Sequence, residues 1–102
     1  MNVHENASVI TLSGDIDLAS AGALSLLEKK LGGRENIVFD VAGLEYVDST
    51  FLRFLVRLRK HAAQEQPGTL ELVGVKPRLR RILEVTGLAR MCSLQPRIDA
   101  LK

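Results

Sequence analysis

The chain has 102 residues, 46% of them apolar and only 4% aromatic, which implies one domain whose core is built from Leu, Val, Ile and Ala. Lys and Arg number 14 against 12 Asp and Glu, and a net charge of +2 is too small an excess to imply direct nucleic-acid binding. A single cysteine excludes an internal disulfide and points to a reducing compartment; no secretory leader follows Met1, and no apolar run approaches the roughly 20 residues of a membrane span, so a soluble, cytoplasmic protein is expected.

Val3 to Glu5 reads as a short edge strand, followed by a turn at Asn6-Ala7. Ser8 to Ser13 is strand-like, with alternation in its second half, and Gly14-Asp15-Ile16-Asp17 ends it. An amphipathic helix follows. Ser20, Ala23, Leu24, Leu27 and Leu31 share one face, Glu28, Lys29 and Lys30 lie mostly on the other, and Gly32-Gly33 stops it. Asn36 to Val41 is dense in β-branched and aromatic residues and predicts a buried strand, after which a loop leads to Asp48.

Asp48-Ser49-Thr50 are three residues that favour helix N-caps, and the helix they open runs to about Gln64. Phe51, Phe54, Leu55, Leu58 and Ala62 form its apolar stripe; Arg53, Arg57, Lys60 and Gln64 form the opposite one. Gln66-Pro67-Gly68 turns the chain into a strand over Thr69 to Val75. Pro77 suits the first turn of a third helix with Leu79, Ile82, Leu83 and Thr86 inward, Gly87 in a left-handed position past its end, and Leu88 folding back on the last turn. Met91 to Lys102 divides around Pro96 into two weak pieces, helical or extended. The order β-β-α-β-α-β-α predicts an α/β fold. Its sheet is small, mixed and mostly parallel, with right-handed crossovers and an antiparallel first pair at one edge.

Ser49, behind an acid at a helix start, superficially resembles a nucleophile, but a serine nucleophile needs a base within hydrogen-bond reach. His61 is twelve residues along the same helix, about 18 Å away at roughly 1.5 Å per residue, and His4 lies in the edge strand. There is no Gly-x-Ser-x-Gly elbow. His4, His61 and Cys92 lack metal-ligand spacing, and no Gly-rich phosphate loop follows a strand, so neither a metal nor a cofactor is expected. Asp15, Asp17 and Asp48 would cluster if their strand ends are neighbours, though caps and turns are the ordinary use of such residues. Two groups of cations, Arg53, Arg57, Arg59 and Lys60, then Lys76, Arg78, Arg80 and Arg81, read either as solvated helix faces or as a surface for an acidic partner. They are not interleaved with stacking aromatics, against single-strand nucleic-acid binding.

Ser49 and Thr50 read either as simple helix caps or as modification targets. A phosphate on Ser49 would sit at the positive end of the helix dipole, with Arg53 one turn on along the same face.

The run Ile37-Val38-Phe39-Asp40-Val41, Leu44, then Val47-Asp48-Ser49-Thr50-Phe51-Leu52 resembles the signature of bacterial anti-sigma factor antagonists, the stand-alone STAS-domain proteins. Gly14-Asp15-Ile16-Asp17 is similar to that family's turn after the second strand, and Arg81 to Leu88 to its third-helix ending, so the likeness extends from about Val9 to Leu94. It implies a single STAS domain over residues 1–102, with the tail from 91 weakly defined, and helices packed mainly on one face of the sheet. It also implies a partner switch. The unmodified form binds an anti-sigma factor, a serine kinase of the histidine-kinase-like ATPase type, and so frees a sigma factor. The kinase phosphorylates Ser49 and breaks the complex, and a PP2C-type phosphatase restores it. The partner-binding residues would be Asp17, Asp48, Ser49, Thr50, Phe51, Arg53 and Arg57. Many members have Gly where Phe51 stands; its place on the stripe of Phe54, Leu55 and Leu58 turns the ring inward. Two other readings compete. One is a STAS subunit of a scaffold or lipid-transport complex that binds without being phosphorylated; the other is weak nucleotide binding at Asp17, Asp48 and Ser49.

Overall fold

The computed structural model describes residues 1–6, 9–31, 36–65 and 69–95, the side chains of 61–65 and 95 excepted. Five strands form one sheet in the order β1 (Asn2–Asn6), β2 (Val9–Ile16), β3 (Asn36–Val47), β4 (Thr69–Val73) and β5 (Ser93–Gln95). β1 runs antiparallel to β2, and the remaining pairs are parallel. The parallel pairs require crossovers, which α1 (Ala21–Leu31), α2 (Ser49–Glu65) and α3 (Pro77–Thr86) provide.

Alternation along the strands decides which face the helices cover. Ile10, Leu12, Ile37, Phe39, Leu70 and Leu72 are buried, while Val9, Thr11, Ser13, Val38, Asp40 and Glu71 between them are only partly covered. Register aligns the buried set into a row, Ile10 beside Phe39, Phe39 beside Leu72, and Leu72 beside Leu94. Leu24, Leu27 and Leu31 of α1, Phe51, Phe54, Leu55 and Leu58 of α2, and Leu79 and Leu83 of α3 belong to the same core. The helices therefore lie mainly on one face. Each fully buried Leu or Phe contributes about 1.5–3 kcal/mol of transfer free energy. The Phe54 ring lies 5.8 Å from Phe39 and 6.3 Å from Phe51, so three aromatics join α2 to the middle of the sheet.

Several expectations are corrected. β3 does not give way to a loop after Val41; it continues to Val47. The extension is irregular, because its register against β2 slips twice, between Thr11 and Ser13 and between Gly14 and Asp15. Each slip gives β3 one extra residue, the mark of a β-bulge, which bends a strand and raises its twist. β2 likewise runs through Gly14, whose φ of +81° suits glycine, to Ile16. β4 ends earlier than expected, at Val73, since Gly74 turns to φ +75° and a side chain there would come within 2.7 Å of Ala42 Cβ.

Ala23 faces solvent rather than the core, although Ser20, Leu24, Leu27 and Leu31 of the expected face are buried; a turn of 3-10 helix over Leu18–Ser20 precedes α1. Thr86 is also exposed, its Oγ1 donating to the Ile82 carbonyl at 2.8 Å, while Gly87 takes the expected left-handed conformation, φ +81°, and Leu88 is buried. Of the unresolved tail alternatives, Ser93–Gln95 is extended and pairs with β4. The turns expected at Asn6-Ala7, Gly32-Gly33 and Gln66-Pro67-Gly68, the side chains of His61, Ala62 and Gln64, and everything after Gln95 lie outside the described residues.

Candidate functional site

The bulged ends of β2 and β3 lie side by side, Ile16 opposite Val47, and the Asp48 amide donates to the Ile16 carbonyl at 3.1 Å. Each strand then releases its chain through an aspartate. Asp17 Oδ1 accepts from the Ala19 amide at 3.0 Å, and the Asp17 amide donates back to Ser20 Oγ at 3.4 Å, which closes a capping box. Asp48 Oδ1 accepts from the Thr50 amide at 2.8 Å, and its carbonyl accepts from the Phe51 amide at 3.2 Å. Asp17 and Asp48 are thus brought to one edge but serve as caps, as their residue type favours. Asp15 faces solvent. Among the described residues, no three His, Cys, Asp or Glu side chains group in a way that could hold a metal ion.

Ser49 is the first residue of α2 and is exposed, whereas Thr50 is half-buried. Phe51 is 0% exposed, its ring against Phe54, so it supports the helix start from beneath and offers no surface to a partner. Arg53 is exposed one turn on from Ser49. Arg57 has a duty within the fold, its Nε donating to Glu28 Oε1 of α1 at 2.6 Å, which couples the two helices. With the Thr50 and Phe51 amides already given to Asp48, a phosphate on Ser49 would draw on Arg53 rather than on those two amides.

Two features escaped the sequence reading. Ser49, Leu52, Arg53, Val56 and Arg57 of α2 face Thr86 and Leu88 across an open, mostly apolar groove of about 450 Å³. Its signal was present as the spacing i, i+3, i+4, i+7, i+8, a second stripe flanking the core-facing one. The second feature is a pair of exposed apolar side chains at the same strand ends, Leu18 at 78% and Tyr46 at 49%. Their only signal was that each is large and apolar beside a cap. Elsewhere, burial pushes the Cys92 thiol up to about 11, with Arg59 opposing, which keeps it protonated near neutral pH and a poor nucleophile.

A family model described as Mlab, STAS domain, matches residues 2–96. A solved structure of an anti-sigma factor antagonist from Mycobacterium paratuberculosis is 24% identical, with 97% of this chain and 86% of that one covered and a TM-score of 0.75. An anti-sigma-factor antagonist (STAS) domain protein from Planctomyces limnophilus is 21% identical over 98% of this chain and 92% of that one, at a TM-score of 0.77. The anti-sigma factor antagonist SpoIIAA in its unphosphorylated form is 13% identical, covering 97% and 90%, at a TM-score of 0.73. No curated protein matches the chain.

Proposed function

Since the chain belongs to the STAS-domain family, we propose that it is an anti-sigma factor antagonist that works by partner switching. In its unmodified form it binds an anti-sigma factor of the serine-kinase, histidine-kinase-like ATPase type, and a sigma factor is freed. The kinase phosphorylates Ser49 and the complex breaks; a PP2C-type phosphatase resets it. The chain is a binding protein and a substrate in this scheme, not a catalyst. The observation that carries the reading is the placement of Ser49. Its side chain is exposed on the first turn of α2, on the rim of an apolar groove and one turn from Arg53. Thr50, the rival hydroxyl, is half-buried. The solved antagonists of the same fold support the partner class.

The physical switch is a change of charge. A surface that fits a neutral hydroxyl beside apolar side chains meets about two negative charges after modification, and repulsion and desolvation then oppose docking. Asp17 and Asp48 already concentrate acid at this edge, so the added charge has little local compensation beyond Arg53. In the test, the partner recovered with the chain is purified and incubated with it and ATP, followed by intact mass and site mapping. One added phosphate on Ser49, lost in Ser49→Ala with the complex kept, is the expected result; Ser49→Asp should weaken the complex. Modification confined to Thr50, or an Asp variant that binds like the wild type, would overturn the switch and return the chain to the reading of a non-switching STAS subunit.

A further inference from the structure

The groove beside Ser49 has a shape and a charge pattern that the acceptor alone does not need. Leu52 and Val56 of α2 are only half-covered although they project from the middle of a core-packed helix, and together with Leu88 they make its apolar lining. Leu52 and Val56 are four residues apart, one helical turn, so the apolar strip runs along the axis of α2. Arg53 and Arg57 lie beside that strip at the same spacing and face the groove from the α2 side. The opposite wall, Thr86 and Leu88, carries no charge. Among the described residues, no acidic side chain lines the groove.

We infer that this groove is the seat of an amphipathic helix of the anti-sigma factor, one whose apolar stripe is flanked by Glu or Asp. The inference rests on the function proposed above and adds the segment of the partner that is recognised. An apolar strip along a helix axis matches the i, i+3, i+4, i+7 stripe of a helix laid beside it. The basic border selects acidic flanks and disfavours basic ones, since like charges face to face cost more than the apolar contact returns. Arg53 is the stronger selector, because Arg57 already shares its charge with Glu28. Ser49 stands at the end of the groove nearest the start of α2, so a phosphate there would meet the acidic flank of the seated helix. The same acids that draw the partner to Arg53 would then repel it, which joins recognition and release in one surface.

The test uses methyl-labelled chain and the purified anti-sigma factor recovered with it. Leu52, Val56 and Leu88 methyl signals should shift on binding, and those of buried Leu72 should not. A photo-crosslinker placed at residue 56 should capture partner residues three and four apart in one acidic segment. Arg53→Glu should weaken binding on the order of tenfold, with a smaller salt dependence, while its thermal midpoint stays near that of the wild type. If the complex forms and Ser49 phosphorylation breaks it, yet these methyls do not move or the crosslinks fall in a basic or extended segment, the groove assignment is overturned and the switch stands. If no anti-sigma factor binds at all, the functional reading fails and the assignment falls with it.

Discussion

The two halves of β3 behave as different materials. From Asn36 to Asp40 the strand pairs with β4 throughout and, from Val38 on, with β2 as well, in unbroken register and with every second residue buried. From Ala42 to Val47 it pairs with β2 alone, slips register, and leaves four of its six residues exposed. The first half gains ladder hydrogen bonds and apolar burial along its length; the second has surrendered one neighbour and part of its regularity. What it gains is reach. The bulged half carries the chain beyond the sheet edge to Asp48, so that α2 starts at the surface with Ser49 exposed. A scaffold and a delivery arm are made from one continuous strand, and the change from one to the other occurs where β4 stops at Gly74.

Breaking the regular half should have the largest effect. Phe39→Ala removes a fully buried ring between sheet and α2, and should cost roughly 3–5 kcal/mol in urea unfolding. A loss below about 1 kcal/mol would mean that the regular half is not the scaffold. Leu55→Ala, on the helix that covers it and 1% exposed, should cost roughly 2–5 kcal/mol by the same mechanism.

The junction comes next. Gly74→Ala places a methyl at positive φ, 2.7 Å from Ala42 Cβ, and should cost about 1–3 kcal/mol. Adding Ala42→Gly should return part of that loss, because it removes the closest contact and leaves the backbone strain and the 3.2 Å approaches to the residue 42 backbone. Strict additivity of the two changes would show that the junction does not couple β4 to the bulged half.

Asp48→Ala should be milder still, roughly 0.5–2 kcal/mol for a lost cap. Its signature is local. Amide exchange should accelerate at Thr50, whose amide the Asp48 carboxylate holds, and stay unchanged from Ile37 to Val41. Uniform acceleration would erase the distinction between the two halves. Smallest is Ser49→Ala, within about 0.5 kcal/mol in stability, since the side chain is exposed. A larger loss would show that Ser49 is a structural cap and not a surface held ready for a partner.

Much of this was legible in the amino-acid order. Strand–helix alternation, the stripe of Phe51, Phe54, Leu55 and Leu58, the left-handed Gly87 and the Asp48-Ser49-Thr50 helix start all follow from local rules, because periodicity and capping are set by residues within one or two turns of each other. Ser49 was visible as a candidate for the same reason. What the sequence could not express was pairing. The two slips of β3 depend on how β2 lies against it, and Ala42 to Val47 reads as a loop when only its own glycine and polar residues are counted. Thr86 fits an inward stripe by spacing but is exposed as the last residue of α3, where its hydroxyl turns to the Ile82 carbonyl. Arg57 looked like a free cation until α1 brought Glu28 to it across 29 positions of chain. The groove beside Ser49 exists only because α3 ends at Gly87 and folds Leu88 toward α2. Local order determined which segments are strands and helices and where the Ser49 hydroxyl sits; the packing of segments distant in sequence decided how far β3 reaches, which charges remain exposed, and what surface surrounds that hydroxyl. Contacts between distant segments depend on the whole chain's closure, which no short window of residues encodes.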